Sequence, residues 1–332
     1  MAQAPRVRVA RRPVHGVLLL DKPIGLSSNQ ALQKVKWLLR AEKAGHTGTL
    51  DPLATGVLPL CFGAATKFSQ AHLDADKAYE TIVRLGQKTT TADAEGAVLL
   101  ERPVHVDADL IEHVLARFRG DIAQVPPMYS ALKKDGKALY EYARAGEEVE
   151  RASRNVRIHQ LKWAAEPMDI AEPAIKLIVD CSKGTYIRTL GEDIGEALGC
   201  GGHLKMLRRT RTGAFGLERC ITLEQLESMS EEQRLQQLLP VDVLLPGYTE
   251  VTLDASNAGR FLSGMRRRGQ WPDAEQVAVF AKASAEHPRA LLGSAHIKAG
   301  ELIPQRLLTP LEIEQTLAQA SPVFLKEQEP TP

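Results

Sequence analysis

The sequence predicts an α+β protein, and three observations lead to this fold class. Strand-like and helix-like segments are mixed without a regular βαβ repeat, which argues against a doubly wound parallel sheet. The 332 residues include 44% apolar and 25% charged residues, values typical of soluble globular proteins. The composition shifts near residue 245, where Leu-Pro-Gly interrupts the chain, so a second and smaller β-rich unit is expected after it.

The first elements are a strand, a helix and a long loop. Residues 15–20 form the predicted strand, and a helix is predicted from Asn29 to Arg40. Ser27 and Gln30 have the spacing of a capping box at the start of this helix. Residues 41–66 are rich in Gly, Thr and Pro and follow neither periodicity, so we predict a long loop, and such loops inside a compact domain are usually functional.

The middle of the chain alternates between strands and helices. Residues 79–85 place Tyr, Thr, Val and Leu on one face, which predicts a half-buried strand. Apolar residues at helical spacing predict helices over residues 110–118 and 187–198, the second closed by a glycine. Residues 156–158 and 175–179 predict further strands, the latter buried.

The C-terminal unit is predicted from short strand-like runs. These runs cover residues 250–253, 276–281 and 291–297 and are separated by Gly and Pro. We expect this unit to end near Pro310 and to be followed by a loosely ordered polar tail.

The distribution of charge is more informative than its sum. The net charge is +1, but residues 1–40 carry eight cations against Asp21, which makes this segment +7 and the remainder −6. Two further basic clusters contain no acid: Lys205, Arg208, Arg209 and Arg211, and Arg260, Arg266, Arg267 and Arg268. Each cluster alone is compatible with a solvated face, whereas three segregated clusters favour a polyanion partner.

Several classes of protein are excluded. The longest uncharged stretch, residues 52–66, is too short to span a bilayer and is interrupted by Pro and Gly. The four cysteines form no Cys-x-x-Cys pair and have no histidines at zinc-finger spacing, so we expect reduced thiols, no metal site and a cytoplasmic protein.

Two segments could carry chemistry. Residues 45–56, GHTGTLDPLATG, surround the single carboxylate of Asp51 with glycines, threonines and a proline. Asp51 before a proline is compatible with a turn or cap, and His46 with a structural histidine; the functional alternative is a nucleophile or acid/base on a rigid loop. Arg188, at the start of a predicted helix, opposes the helix dipole, so a carboxylate elsewhere in the chain is its expected partner. Such pairing would lower the pKa of an aspartate.

These segments, with three others in the same order, resemble the TruB family of tRNA pseudouridine synthases. The resemblance covers about residues 14–245 and rests on GVLLLDKP at 16–23, the loop 45–59, KAYE at 77–80, MYSALK at 128–133 and SKGTYIR at 182–188. It implies the pseudouridine synthase fold, with a central mixed, largely antiparallel sheet flanked by helices and loops. It also implies isomerisation of uridine 55 in the T loop of tRNA, with no cofactor and no metal.

The resemblance also implies site residues and domains. Asp51 matches the nucleophile, Tyr79 the tyrosine that stacks on the base, and Arg188 the partner of the carboxylate. The matching substrate-binding residues are His46, Tyr186, Leu207 and Lys22, Lys22 in a supporting role. The implied divisions are a basic arm (1–13), a catalytic domain (14–245), a thumb-like RNA-binding insertion within it (126–155), a PUA-like RNA-binding domain (246–312) and a polar tail (313–332).

The expected partner is the T stem-loop of tRNA, bound by a monomer. The residues expected to contact the RNA backbone are Lys133, Lys134, Lys205, Arg208 and Arg209. For residues 126–155 a solvated helical hairpin is the alternative, because acids are interleaved with the cations.

Two other functions are alternatives at this point. One is a non-catalytic tRNA-binding or tRNA-folding protein, in which Asp51 would be dispensable. The other is a metal-dependent hydrolase using His46, Asp51 and His72, which the absence of a ligand pair at metal spacing disfavours. Attack by Asp51 on the sugar C1′, attack on uracil C6 and elimination to a glycal all remain compatible with the sequence.

Overall fold

The computed structural model describes residues 10–164, 169, 171–284 and 288–319. Residues 1–9 of the predicted basic arm and residues 320–332 of the predicted tail lie outside the described residues. No helix in the described ranges is long and apolar enough to cross a membrane.

Strands and helices follow one another irregularly along the chain, as the α+β prediction requires. The strands are β1 (Gly16–Lys22), β2 (Ala44–His46), β3 (Ala54–Phe62), β4 (Lys77–Leu85), β5 (Gln87–Thr89), β6 (Val98–Glu101), β7 (Gly120–Gln124), β8 (Lys133–Lys134), β9 (Lys137–Ala138), β10 (Arg154–Ala164), β11 (Ala174–Cys181), β12 (Gly202–Thr212), β13 (Phe215–Gly216), β14 (Thr249–Leu253), β15 (Arg267–Arg268), β16 (Ala274–Ala281), β17 (Ala290–Lys298) and β18 (Glu301–Leu307). The helices are α1 (Ser28–Leu38), α2 (Ser69–Leu73), α3 (Ala108–Ala116), α4 (Leu139–Arg144), α5 (Ile187–Ala197), α6 (Leu223–Ser228), α7 (Glu231–Gln236), α8 (Ala255–Leu262) and α9 (Pro310–Gln319).

A mixed sheet forms the centre of the larger unit. Its strand order is β1-β3-β12-β4-β11-β10-β7, with β2 paired to β3 and β13 to β12. Neighbouring strands are antiparallel except β12 and β3, which run parallel over Leu207–Arg209 and Ala54–Gly56. The predicted fold class, a mixed and largely antiparallel sheet with helices, is confirmed.

The main core lies between this sheet and helices on one of its faces. On β4, Tyr79, Thr81, Val83 and Leu85 are buried and their neighbours are partly exposed, so the predicted alternation is confirmed. Apolar side chains of α1, α3, α5 and α6 pack against the sheet in one continuous cluster. The start of α1 also has the predicted capping box, because the Ser27 backbone N–H donates to Gln30 Oε1 at 2.8 Å and Ser27 Oγ accepts from the Gln30 N–H at 3.2 Å.

The prediction of a loop from residue 41 to residue 66 is wrong over much of its length. Residues 54–62 form β3, and eight of its nine residues are buried. Leu58 and Leu60 belong to the main core, whereas Val57 and Cys61 belong to a second apolar cluster on the opposite face. A strand buried on both faces carries no alternation of polarity, and for that reason periodicity did not reveal it.

The smaller unit has its own sheet, with strand order β14-β16-β17-β18-β15. Strands β14, β16 and β17 agree with the three predicted runs, whereas β15 and β18 were not predicted. The smaller unit also contributes Ala278, Phe280 and Leu308 to the second apolar cluster, which contains Val17 of β1 and Val57 of β3. The two units therefore share a buried contact.

The expectation of a loosely ordered chain after Pro310 is wrong for residues 310–319, which form α9. Lys67 Nζ lies 2.6 Å from the Glu312 carboxylate, and Gln319 Nε2 donates to the His15 carbonyl at 2.6 Å. Helix α9 is thereby attached to the larger unit. The contacts come from residues about 245 and 304 positions away, so composition near the C-terminus could not reveal them.

Candidate active site

Asp51 lies on a short loop, residues 47–53, between β2 and β3. Three backbone contacts fix this loop. The Leu50 N–H donates to Ser28 Oγ at 2.7 Å, the Ser28 hydroxyl donates back to the Leu50 carbonyl at 3.0 Å, and the Gly25 N–H donates to the Pro52 carbonyl at 2.8 Å. The start of α1 and the turn before it thus determine where the carboxylate lies.

Arg188 is the charged partner of Asp51. Its Nε lies 3.0 Å from Asp51 Oδ2, so the carboxylate partner expected for this arginine is present. Nη1 donates to the Thr91 carbonyl at 3.1 Å and Nη2 to the Tyr129 carbonyl at 2.6 Å. Only 5% of Arg188 is exposed, and with three acceptors its guanidinium presents a fixed face to Asp51.

Arg188 lowers the pKa of Asp51, as expected of the pairing, but the net shift is upward. Burial raises the pKa of Asp51, and the nearby Asp93 carboxylate raises it further, whereas Arg188 and Lys22 lower it. Desolvation therefore outweighs the ion pair that was expected to lower the pKa. The side chain is still 38% exposed, so the carboxylate lies at an opening that a substrate could reach.

Asp93 is a residue that the sequence analysis missed. It is 3% exposed, its Oδ2 lies 3.8 Å from Arg188 Nε, and its Oδ1 accepts from the Glu95 N–H at 3.1 Å. Arg188 therefore lies between two carboxylates. In the sequence Asp93 stands in a polar turn, TADAEG, where an aspartate is ordinary, so no local signal distinguished it.

Tyr79 and Leu207 lie on adjacent strands beside this loop. Tyr79 is 8% exposed and Leu207 7%, and β12 pairs with β4 so that Leu207 faces Thr81 and Arg209 faces Tyr79. Burial raises the pKa of the Tyr79 phenol, and the charge of Arg209 opposes this. Arg209 pairs with Tyr79 on one side and with Gly56 of β3 on the other, so Tyr79 lies near the start of the strand that follows the Asp51 loop.

Tyr186 immediately precedes α5, the helix of Arg188. Its N–H donates to Gln124 Oε1 at 3.1 Å, and Gln124 Nε2 donates to its carbonyl at 3.3 Å, which ties this turn to β7. Burial raises the pKa of Tyr186, and the Asp51 charge contributes to that increase. Both tyrosines therefore lie around Asp51.

His46 and Lys22 lie on the other side of the loop. His46 Nδ1 is buried and has no hydrogen-bond partner in the described part of the chain, and burial, then the charge of Arg209, lower the pKa of His46. Lys22 is fully buried; its Nζ donates to the Pro23 carbonyl at 2.9 Å and to the Leu26 carbonyl. Burial lowers the pKa of Lys22 to about 8. Lys22 thus holds the turn that contacts the Asp51 loop.

The placement of Arg209 among RNA-backbone contacts is wrong. Arg209 is 1% exposed, Nε donates to the Val57 carbonyl at 2.7 Å and Nη2 to the Gly48 carbonyl at 3.0 Å. Residues 202–212 form the central strand β12, and the basic run within it alternates between faces. A side chain enclosed in this way cannot reach a phosphate without unfolding its surroundings.

The other residues expected to contact RNA differ in their exposure and in whether a carboxylate already pairs with them. Arg208 forms a two-point ion pair with Asp21, at 3.0 and 2.6 Å, and is 34% exposed, so part of its charge is already neutralised. Lys205 is more exposed and pairs with Glu172. Lys133 and Lys134 are exposed on the β8-β9 hairpin, where Lys134 Nζ donates to the Glu150 carbonyl at 3.2 Å.

The structure does not assemble the alternative hydrolase site. Within the described ranges, no group of three or more His, Cys, Asp or Glu side chains is arranged to hold a metal ion. His72 instead lies on α2, with its ring 4.6 Å from that of Phe215 and its Nε2 3.5 Å from Thr212 Oγ1.

The chain is similar in sequence to known proteins and to two family models. Residues 36–187 match the family model of the TruB family pseudouridylate synthase N-terminal domain, and residues 188–246 match that of the tRNA pseudouridylate synthase B C-terminal domain. Among similar proteins, tRNA pseudouridine synthase B of Verminephrobacter eiseniae is 61% identical over 96% of each chain. That of Ralstonia pickettii is 59% identical over 92% of this chain and 98% of its own.

Solved structures show the same fold. The crystal structure of a Cbf5-Nop10-Gar1 complex matches with a TM-score of 0.67 and 26% identity, covering 94% of this chain and 93% of the other. An H/ACA RNP bound to a substrate RNA containing 2′-deoxyuridine matches with a TM-score of 0.63 and 24% identity, over 89% and 86% of the two chains.

Proposed function

Because the chain belongs to the TruB family of pseudouridylate synthases, we propose that it is an isomerase that converts uridine 55 in the T loop of tRNA to pseudouridine. Action on tRNA is what the names of its relatives state. The observation that carries the proposal is the contact of Asp51 with Arg188 at 3.0 Å, beside the buried Tyr79 and the half-buried Tyr186.

The proposed reaction needs one carboxylate and an enclosed base. The bond from C1′ to N1 of uracil breaks, the base turns, and a bond from C1′ to C5 forms. C5 then releases its proton and N1 takes up a proton, so the product is an isomer of the substrate. Asp51 is the nucleophile, and Arg188 favours its ionised form. The target nucleotide must leave its stack at a cost of a few kcal/mol, which stacking on Tyr79 would offset.

The remaining residues are assigned to binding. We propose that His46, Tyr186 and Leu207 line the base pocket and that Lys22 supports the loop. Lys133, Lys134 and Lys205, and the exposed part of Arg208, would contact the RNA backbone. In this proposal residues 14–245 form the catalytic domain, with residues 126–155 as its thumb-like insertion, and residues 246–312 form an RNA-binding domain.

The proposal is tested with tRNA whose uridines carry tritium at C5, because the reaction releases that hydrogen. Asp51→Asn should lower the rate of release by at least about 10⁴-fold, as loss of a nucleophile does. Asp109→Asn, an exposed aspartate on α3, is the matched control and should behave as the wild type. Mapping of pseudouridine in the product tests position 55.

Two results would contradict the proposal. An active Asp51→Ala variant would exclude the assigned nucleophile. Full complementation of a deletion strain by Asp51→Asn, with tRNA binding intact, would instead indicate a tRNA-folding protein.

A further inference from the structure

Arg209 is a buried cation whose neighbours are carbonyls. It is the largest side chain among the fully buried ones, and no carboxylate lies within 4.0 Å of its guanidinium in the described residues. An unpaired charge in a protein interior is costly unless its hydrogen bonds are satisfied. Because the charge has no ion-pair partner, we look for the role of Arg209 in the backbone segments that its hydrogen bonds hold in place.

Those hydrogen bonds enclose the catalytic loop. Gly48 precedes Asp51 by three residues and Val57 follows it by six, and both carbonyls accept from the same guanidinium, at 3.0 and 2.7 Å. The planar group therefore joins the two ends of the segment that carries the nucleophile. Lysine, a point charge on a flexible stem, cannot reproduce this two-sided geometry.

Two glycines allow the backbone to approach Arg209 closely. A Cβ on Gly56 would lie 2.1 Å from the Arg209 carbonyl oxygen, and one on Gly48 would lie 3.2 Å from Arg209 Nη1. Both glycines have positive φ, +101° and +76°, which other residues rarely adopt. The loop thus approaches the arginine closely on both sides.

Arg209 also lies beside one of the proposed substrate-binding residues, Tyr79. It pairs in register with Tyr79 across β12 and β4, and its charge acts on the pKa of both Tyr79 and His46. One buried side chain therefore touches the loop of the nucleophile and lies beside the tyrosine expected to stack on the base.

We propose that Arg209 is a positioning residue for isomerisation, whose guanidinium fixes the loop so that Asp51 meets Arg188, and that it makes no contact with the RNA backbone. This inference rests on the proposed function. It predicts that Arg209 controls the rate of the chemical step and leaves tRNA affinity unchanged.

The test is Arg209→Lys, which keeps the charge and removes the planar fork. With enzyme in excess over tritiated tRNA, we expect the single-turnover rate constant to fall by about 10- to 100-fold, the cost of misplacing a reacting group by about 1 Å. The Kd for tRNA and its salt dependence should stay within about twofold of the wild type. Arg211→Lys, on the same strand and paired to Asp180, is the matched control and should leave the rate constant unchanged.

A second variant covers the case in which Arg209→Lys does not fold. Gly48→Ala places a methyl group against Nη1 and should also lower the rate constant while Kd is retained. When both variants fold, their effects should be less than additive, because they disturb the same contact. Circular dichroism and thermal unfolding report whether each variant is native.

The outcomes separate the two proposals. A wild-type protein that releases no tritium contradicts the proposed function itself. An active wild type with an equally active Arg209→Lys contradicts only the positioning role, as does a Gly48→Ala variant of normal rate. Weaker tRNA binding with an unchanged rate constant would contradict the positioning role and would indicate that Arg209 contacts the RNA backbone.

Discussion

At Asp51, burial and pairing with a cation shift the pKa of the carboxyl group in opposite directions. Burial and Asp93 raise the pKa of its carboxyl group, while Arg188 lowers it. If the ionised form is the reactive one, the single-turnover rate falls as the pH drops through this pKa. The acid limb of the pH–rate profile should therefore lie above the range of an ordinary aspartate.

Two variants should move that limb in opposite directions. Arg188→Gln removes a stabilising cation, so the pKa of Asp51 rises and the midpoint moves to higher pH. Asp93→Asn removes a repelling carboxylate, so the midpoint moves to lower pH. The measurement is the pH dependence of single-turnover tritium release, and midpoints that do not move, or move together, would contradict this account of the site.

The sequence predicted Asp51 and Arg188 as site residues and predicted their contact. Nothing in it indicated the position of Asp93 or the burial of Arg209. A cation that opposes its own helix dipole is a local signal, and this signal pointed to a distant carboxylate. An aspartate in a polar turn and an arginine in a basic run have no such signal. Their roles depend on which strands enclose them.

Strand β3 is one of the elements that connect the two units, together with β1 and α9. Its two faces contribute to two apolar clusters, one under α1 and the other against β16 of the C-terminal sheet. The loop that carries Asp51 leads directly into this strand. The C-terminal unit therefore stabilises the sheet that carries Asp51, whatever its part in RNA binding.

Phe280→Ala tests that connection. Phe280 is 4% exposed in the shared cluster, and its truncation should lower the free energy of unfolding by about 3–5 kcal/mol. Leu311→Ala, at a position 60% exposed on α9, should change it by no more than about 0.5 kcal/mol. Urea unfolding followed by circular dichroism should show one transition; two transitions, with only one shifted by Phe280→Ala, would show that the units unfold independently.

Over the whole molecule, charge is segregated although its sum is close to zero. Part of the positive charge is neutralised within the protein, as in Arg208 with Asp21, and Arg209 is enclosed. The exposed lysines of the β8-β9 hairpin have no carboxylate partner in the described residues. They are the better candidates for an RNA surface.

Combined Lys133→Ala and Lys134→Ala substitutions should weaken tRNA binding and make it less sensitive to salt. Each lost phosphate contact should reduce the slope of log K against log salt by about 0.7–0.9. Binding is measured by filter retention across a salt series. Lys162→Ala, an exposed lysine on β10, is the control, and an equal change in that variant would mean that the effect is one of overall charge.

The sequence by itself determined the family motifs, the alternation of β4, the cap of α1 and the candidate nucleophile, because each depends on residues that are neighbours along the chain. Only the tertiary structure decided that β3 is buried on both faces, that Arg209 is enclosed, and that the pKa of Asp51 is raised. Solvation and charge pairing are set by residues brought together from distant positions: Arg209 and Gly48 are 161 residues apart, and Arg188 and Thr91 are 97 apart. Local periodicity indicates which face of a helix or strand is buried. Which residues pack against that face depends on the tertiary fold.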